Sequence, residues 1–265
     1  MTLSKIIRKS FRVGSNLGFD PSKPWKLIRN LPWYFSDYRK LKAQASRSQF
    51  DFPFGRPFPC LNEKHDQSGS SLSYYFYQDL HVARRIHQLQ PKRHVDIGSR
   101  IDGFVANVAT FREIEVFDIR PMDSPIPGVI FRQADLMNLD ESLIECTDSL
   151  SCLHAIEHFG LGRYGDPIDF DGFHKGLENL KKMLVPGGRF HFSTPMGPQR
   201  IEFNAHRVFS AQFLIDYFSK DYSIESFSYL DGAPYVHENI PLNDPRVESN
   251  FGCRYGCAIL EMIKK

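Results

Sequence analysis

The chain has 265 residues, 42% of them hydrophobic and 24% charged, with a formal net charge of +2, an ordinary globular composition long enough to bury a core without covalent staples. Five cysteines, at 60, 146, 152, 253 and 257, form an odd and scattered set that argues against a disulfide framework and for a reducing compartment. No run reaches the roughly 18 apolar residues of a membrane-spanning helix, and the N-terminus lacks a signal-peptide core, so the sequence reads as cytoplasmic.

Charge is unevenly placed. Residues 1–50 hold eleven of the 33 basic residues and two of the 31 acids, so this segment carries +9 and the remainder −7. The acidic body does not suggest a nucleic-acid partner. In "MTLSKIIRKSFRVG" the apolar residues Leu3, Ile6, Ile7 and Phe11 fall at helical spacing. "PWKLIRNLPWYFSDYRKLKAQ" continues with Pro24 and Pro32 as helix starts or breaks. This stretch reads either as a cap that packs its aromatics on the main domain or as a peripheral contact with an anionic membrane surface through residues 1–50. Residues 51–71, rich in Pro, Gly and Ser, read as a linker. The boundaries are therefore 1–71 for a basic, aromatic extension with its linker, and 72–265 for one domain.

From residue 72 the pattern changes. A helix over 72–90 is followed by short apolar strands alternating with helical stretches: "RHVDIG", "IEVFDI", "GVIFRQ", "DSLSCLHA", the amphipathic helix "DGFHKGLENLKKML", the strand "RFHFSTP", the helix "SAQFLIDYF", and the closing strands "YSIESFSYL" and "GCAILEMIKK". Such alternation predicts an α/β fold with a mainly parallel sheet and an antiparallel pair at one edge.

Three features lie in order near strand ends. Gly98 leaves the sheet directly after "VDI", where a strand-to-helix turn approaches a ligand backbone-first. Asp118 ends the second strand, placed to accept ribose hydroxyls, and Asp135 follows the third, within reach of an adenine amino group. In the fourth segment, "HAIEH" (154–158) matches the His-x-x-Glu-His pattern of a zinc-protease helix, but its place at the end of a buried strand favours a different role. There a histidine can take the proton of a hydroxyl, with His158 the first candidate and Glu157 and His154 behind it. His206 and Arg207 are candidates for substrate contact, Arg207 for an anionic group. His237 sits in a long Pro-containing insertion, 231–246, that could also face substrate. No metal ligand set is expected; Cys253 and Cys257 have no second pair.

"NLKKMLVPGGRFHFSTP" (179–195), a basic helix, a Pro-Gly-Gly turn and a strand, resembles the corresponding turn of class I S-adenosylmethionine-dependent methyltransferases. Residues 92–265 resemble that family in the order of their elements, and the N-terminal part is similar in style to bacterial members found with surface-polysaccharide genes. The resemblance implies a Rossmann-like, doubly wound seven-stranded sheet of order 3-2-1-4-5-7-6 with the last pairing antiparallel. It implies the cofactor S-adenosyl-L-methionine, with Asp96 and Gly98 at its methionine end, Asp118 at the ribose and Asp135 at the adenine. Ser99, Arg100, Gly103, Ile119, Leu136 and His154 complete the implied cofactor set. Two departures stand out: Arg100 and Asp102 occupy positions where the family has glycines, Gly103 offers the close approach one residue late, and Arg100 must point away from the cofactor or toward its carboxylate. The activity so implied is O-methylation of a sugar or glycan-related small molecule, with the oligomeric state open. The alternatives are a non-catalytic binding or scaffold module of the same fold and a dinucleotide oxidoreductase.

Overall fold

The computed structural model describes residues 22–50, 53–61, 64 and 73–265. The stretch from Leu3 to Phe11 and much of 51–71 lie outside the described residues. Internal contacts divide the chain into Met1–Ser71 and Leu72–Lys265.

In the first unit, helix α1 (Ser22–Ala45) runs straight through Pro32, where the sequence allowed a start or a break. An interior proline costs roughly 3 kcal/mol, and the segment returning along the helix offsets it. Asn30 Nδ2 donates to the Leu61 carbonyl at 2.6 Å, Tyr38 meets Phe54 edge-on at 5.6 Å, and Lys64 pairs with Asp37 while lying 4.5 Å from the Trp33 ring centre. Among the described residues no helix is long and apolar enough to cross a membrane.

The second unit is a Rossmann-like, doubly wound sheet. Its strands are β1 (His94–Ile97), β2 (Ile114–Asp118), β3 (Val129–Gln133), β4 (Thr147–Leu153), β5 (Leu184–Met196), β8 (Tyr222–Leu230) and β9 (Gly256–Lys264), with β6 (Arg200–Glu202) and β7 (His206–Val208) forming a separate hairpin. The seven-stranded order is β3-β2-β1-β4-β5-β9-β8. With the hairpin left out of the count this is 3-2-1-4-5-7-6, the order the resemblance implies. Pairing is parallel from β3 to β5 and antiparallel for β5–β9 and β8–β9.

Period-two alternation sends neighbouring side chains to opposite faces. In β2, Ile114 and Val116 join one apolar cluster with Val82, Ala83 and Ile86 of helix α2 (Tyr74–Leu89); Phe117 joins the other. That second cluster takes Leu177, Leu180 and Met183 from α4 (Gly172–Met183) and Leu214 and Phe218 from α5 (Ala211–Phe218). Phe190, Phe192 and Phe218 are fully buried there, with the Phe192 and Phe218 rings 4.9 Å apart. Each such side chain contributes about 1.5–3 kcal/mol. After β1 the chain makes one π turn, Ile101–Val105, that runs into the short α3 (Ala106–Ala109). The carboxyl ends of β1, β2, β3 and β4 lie side by side along one rim of the sheet.

Candidate functional site

A cavity of about 300 Å³ opens at that rim. It is lined by Gly98 and Ala155, by Asp118 to Arg120 and Ala134 to Met137, and by His154, Glu157, His158 and His206. Gly98 has φ +64, and a side chain there would meet the Ala155 Cβ at 3.0 Å. The turn therefore needs glycine, and it leaves backbone rather than side chain against the cavity.

Beneath the turn, Asp96 is fully buried. It accepts from the Ser99 amide at 3.0 Å, the Ser99 hydroxyl at 2.7 Å and the Ser151 hydroxyl at 2.5 Å. Burial pushes its carboxyl up to about 6 against these bonds. Asp96 and Ser99 were both expected against the cofactor; neither reaches the cavity, and together they brace the turn from behind. Gly103 is a second correction. Its close approach is to the Asp79 carboxylate on α2, not to the cavity. Arg100 does line the cavity, but its guanidinium turns outward to Asp102 at 2.9 Å and lies 5.5 Å from the Tyr75 ring centre.

Asp118 and Asp135 stand at the rim as expected, with Ile119 and Leu136 beside them. Asp118 already receives three donors from Arg120, its amide, Nε and Nη2 at 2.9, 3.0 and 2.6 Å. Arg120 then reaches over Tyr164, 4.5 Å from its ring centre. Asp135 accepts from the Met137 amide and from Asn138 Nδ2. Each carboxylate has four lone-pair positions, so both keep capacity for a ligand.

The wall after β4 is not a helix. His154 takes φ +52, and Ile156–His158 form a single 3₁₀ turn. His154 Nδ1 meets Glu157 Oε1 at 2.9 Å, whereas His158 Nδ1 donates to the Ala205 carbonyl at 2.7 Å. The two rings are thus committed in different directions, not toward a shared zinc ion. Among the described residues no group of three His, Cys, Asp or Glu side chains is arranged to hold a metal ion. With Nδ1 anchored as the donor, His158 Nε2 carries the free lone pair. Burial lowers the His158 pKa below the ordinary 6.5 despite the Glu157 carboxylate nearby. The ring is therefore neutral at pH 7, in the state that accepts a proton. Burial also presses on His154, but the Cys257 sulfur and the Glu157 carboxylate, one at each ring nitrogen, raise it well above the usual histidine value.

His206 lines the cavity from the β6–β7 hairpin, its Nε2 buried without a hydrogen-bond partner and 3.4 Å from Glu202. Arg207 and His237 do not reach the cavity, contrary to expectation. Arg207 is 4% exposed and donates to the Phe159 and Phe170 carbonyls while lying 5.2 Å from the Phe173 ring centre. It staples the loop 159–171 to the hairpin and has no free face for an anion. Arg207→Met is expected to cost about 1–2 kcal/mol of stability, because it strips part-buried carbonyls of their donor; a urea titration with an unchanged midpoint would contradict this. His237 stacks on Tyr229 at 4.4 Å and pairs with Asp231 on the edge of the sheet.

Sequence reasoning missed much of the outer wall: Tyr75, Arg120, Arg163, Tyr164, Asp166 and Tyr255. The signal was the run "GLGRYGDP" (160–167). Gly160, Gly162 and Gly165 all take positive φ, and Asp166 gathers the amides of Gly162 and Tyr164. This folds the loop so that Tyr164 lies between Arg120 and Arg163, 4.5 and 5.1 Å from its ring centre.

A family model described as a Caenorhabditis protein of unknown function matches residues 130–235. No curated protein matches the chain. Three similar solved structures are N-methyltransferase NodS from Bradyrhizobium japonicum with S-adenosyl-L-homocysteine (13% identity, TM-score 0.45, 71% of this chain and 87% of that one), 1,6-didemethyltoxoflavin-N1-methyltransferase from Burkholderia thailandensis with 1,6-didemethyltoxoflavin and S-adenosylhomocysteine (15%, 0.48, 72% and 79%), and the [4+2]-cyclase SpnF (13%, 0.46, 65% and 75%).

Proposed function

We propose that the chain is an S-adenosyl-L-methionine-dependent methyltransferase acting on a hydroxyl of a sugar or glycan-related small molecule. One observation carries this reading: a single cavity brings the bare Gly98 turn and the rim carboxylates Asp118 and Asp135 together with a neutral histidine whose Nε2 is free. The residues fit the cofactor. A Cβ at Gly98 would crowd Ala155, which lines the cavity, and Asp118, with three of its four lone-pair positions taken by Arg120, keeps one for a ribose hydroxyl.

When bound, the cofactor supplies an electrophilic methyl group on a sulfonium. The protein has two tasks beyond holding it. The walls must keep the hydroxyl in line with the methyl–sulfur bond, an alignment that contributes several kcal/mol on its own. With the cofactor bound, His158 Nε2 would take the hydroxyl proton as the methyl group passes from the sulfonium to the hydroxyl oxygen, which would leave a methyl ether and S-adenosylhomocysteine. His158 is thus the base; Glu157 and His154, the other candidates, face each other beside it.

A second reading, a binding or scaffold module that has lost its cofactor, has one observation in its favour: Arg120 already occupies the Asp118 carboxylate. Thermal unfolding separates the two. Ligand at about 100 times its dissociation constant adds about 2.7 kcal/mol to the native state, so the enzyme reading expects S-adenosylhomocysteine to raise the melting temperature clearly. An unmoved transition at millimolar ligand would favour the module.

A further inference from the structure

Resting on the reading above, we propose that Glu157 recognises a second hydroxyl beside the one that is methylated, so that the acceptor presents a vicinal diol. Glu157 is 1% exposed yet lines the cavity. Its Oε1 is held by His154, while Oε2 is buried with no hydrogen-bond partner among the described residues. A buried polar atom left bare costs about 1–3 kcal/mol. A fold that tolerates this at the wall of this cavity has kept the position for an incoming donor.

The kind of donor follows from the charge around it. His154 Nε2 lies 3.3 Å from Cys257 Sγ, the Cys257 thiol donates to Gln78 Oε1 at 3.2 Å, and Gln78 Nε2 donates to Asp79 at 3.0 Å. Every link in this chain is satisfied when His154 carries both ring protons, one directed to Glu157 and one to Cys257. The Glu157–His154 pair is then already neutral. A second full cation would be placed against the imidazolium in a poorly solvated wall, where like charges repel strongly. A neutral O–H completes the carboxylate's shell without that cost.

Spacing supplies the rest. His158 Nε2, the base, lies 3.8 Å from Glu157 Oε1, and Oε2 is the other oxygen of that same carboxylate. Two hydroxyls on adjacent carbons serve both acceptors at once: one gives up its proton to His158 and takes the methyl group, and its neighbour donates to Glu157 Oε2. A lone hydroxyl serves one and leaves the other bare. His154 and the Cys257–Gln78 chain behind it act as positioning residues: they hold Oε1 and leave Oε2 as the carboxylate oxygen without a partner.

The probes are methyl α-D-mannopyranoside, which carries a cis 2,3-diol, and its 2-deoxy and 3-deoxy counterparts, each offered with S-adenosyl-L-methionine. The wild type is expected to methylate the diol at least about tenfold faster than either deoxy probe, because a site built to bind a hydroxyl rejects the analogue lacking it. Glu157→Gln is expected to bring the three rates together while S-adenosylhomocysteine affinity stays within about threefold, a shift in selectivity that a merely structural residue would not produce. If that variant fails to unfold cooperatively, the wild-type ratios decide alone. Equal rates on the three probes overturn the diol, as does absence of transfer to all three by protein that binds S-adenosylhomocysteine. Loss of transfer to a chelator with rescue by Mn²⁺ also overturns it, by making Glu157 a metal ligand. Failure to bind S-adenosylhomocysteine at all overturns the underlying reading instead.

Discussion

Asp118→Ala is expected to weaken S-adenosylhomocysteine binding by about 10- to 100-fold. A ribose hydroxyl would lose a charged acceptor, and a hydrogen bond to a charged group contributes about 1.5–3 kcal/mol net. Arg120 makes the test sharper, because it holds the same carboxylate through its backbone amide and its guanidinium. That pair is half exposed, so it contributes at most about 1 kcal/mol. Removing its side chain in Arg120→Ala is expected to leave binding unchanged or tighten it by up to about fivefold, since the ribose no longer competes with the guanidinium. The two variants are thus expected to move affinity in opposite directions in one calorimetric series. Equal weakening by both would show that Arg120 grips the ligand rather than guarding its place. No effect of Asp118→Ala would remove the ribose from this rim.

His158→Gln should act on the rate and not on the affinity. A positioned base contributes about 10²- to 10⁴-fold, so methyl transfer is expected to fall by that factor with S-adenosylhomocysteine affinity within about threefold of wild type. The pH dependence has a definite sign. The neutral ring is the active form, and burial has lowered its pKa below 6.5. Transfer by the wild type should therefore be flat from pH 7 upward and decline only in acid, with its midpoint below the ordinary histidine value. A profile that rises through pH 7 to 8 would point to another base, and an unchanged rate in His158→Gln would remove this residue from the chemistry.

The sheet was legible because its strands are short apolar runs separated by turn residues, and because Gly98, Asp118 and Asp135 come at strand ends in the right order. What escaped reading depends on contacts distant in sequence. Pro32 looked like a helix boundary, yet α1 passes through it, supported by bonds such as Asn30 to Leu61 that no local window contains. The hairpin of β6 and β7 has three residues per strand, too few for a period-two pattern to emerge. Asp96 and Gly103 were placed by analogy with a glycine-rich turn; here one braces that turn from below and the other makes room for Asp79.

Arg207 shows the limit most clearly. An arginine next to a histidine at the mouth of a cavity suggests an anion site, but this guanidinium spends its donors on the carbonyls of the 159–171 loop. Arg120 carries the opposite lesson. It follows Asp118 by two residues, a spacing common in turns, and nothing local marks it as the side chain that bridges the Asp118 carboxylate to Tyr164. Both roles are fixed by where the loop after β4 returns, and that return is set by three glycines with positive φ.

The cavity at the carboxyl rim of β1, β2 and β4 is expected to accept an adenosyl sulfonium. Titration of S-adenosylhomocysteine into the wild-type chain should show one site per chain with a dissociation constant on the order of micromolar, about −8 kcal/mol. No heat, and no competition by S-adenosyl-L-methionine, up to about 1 mM ligand would contradict it.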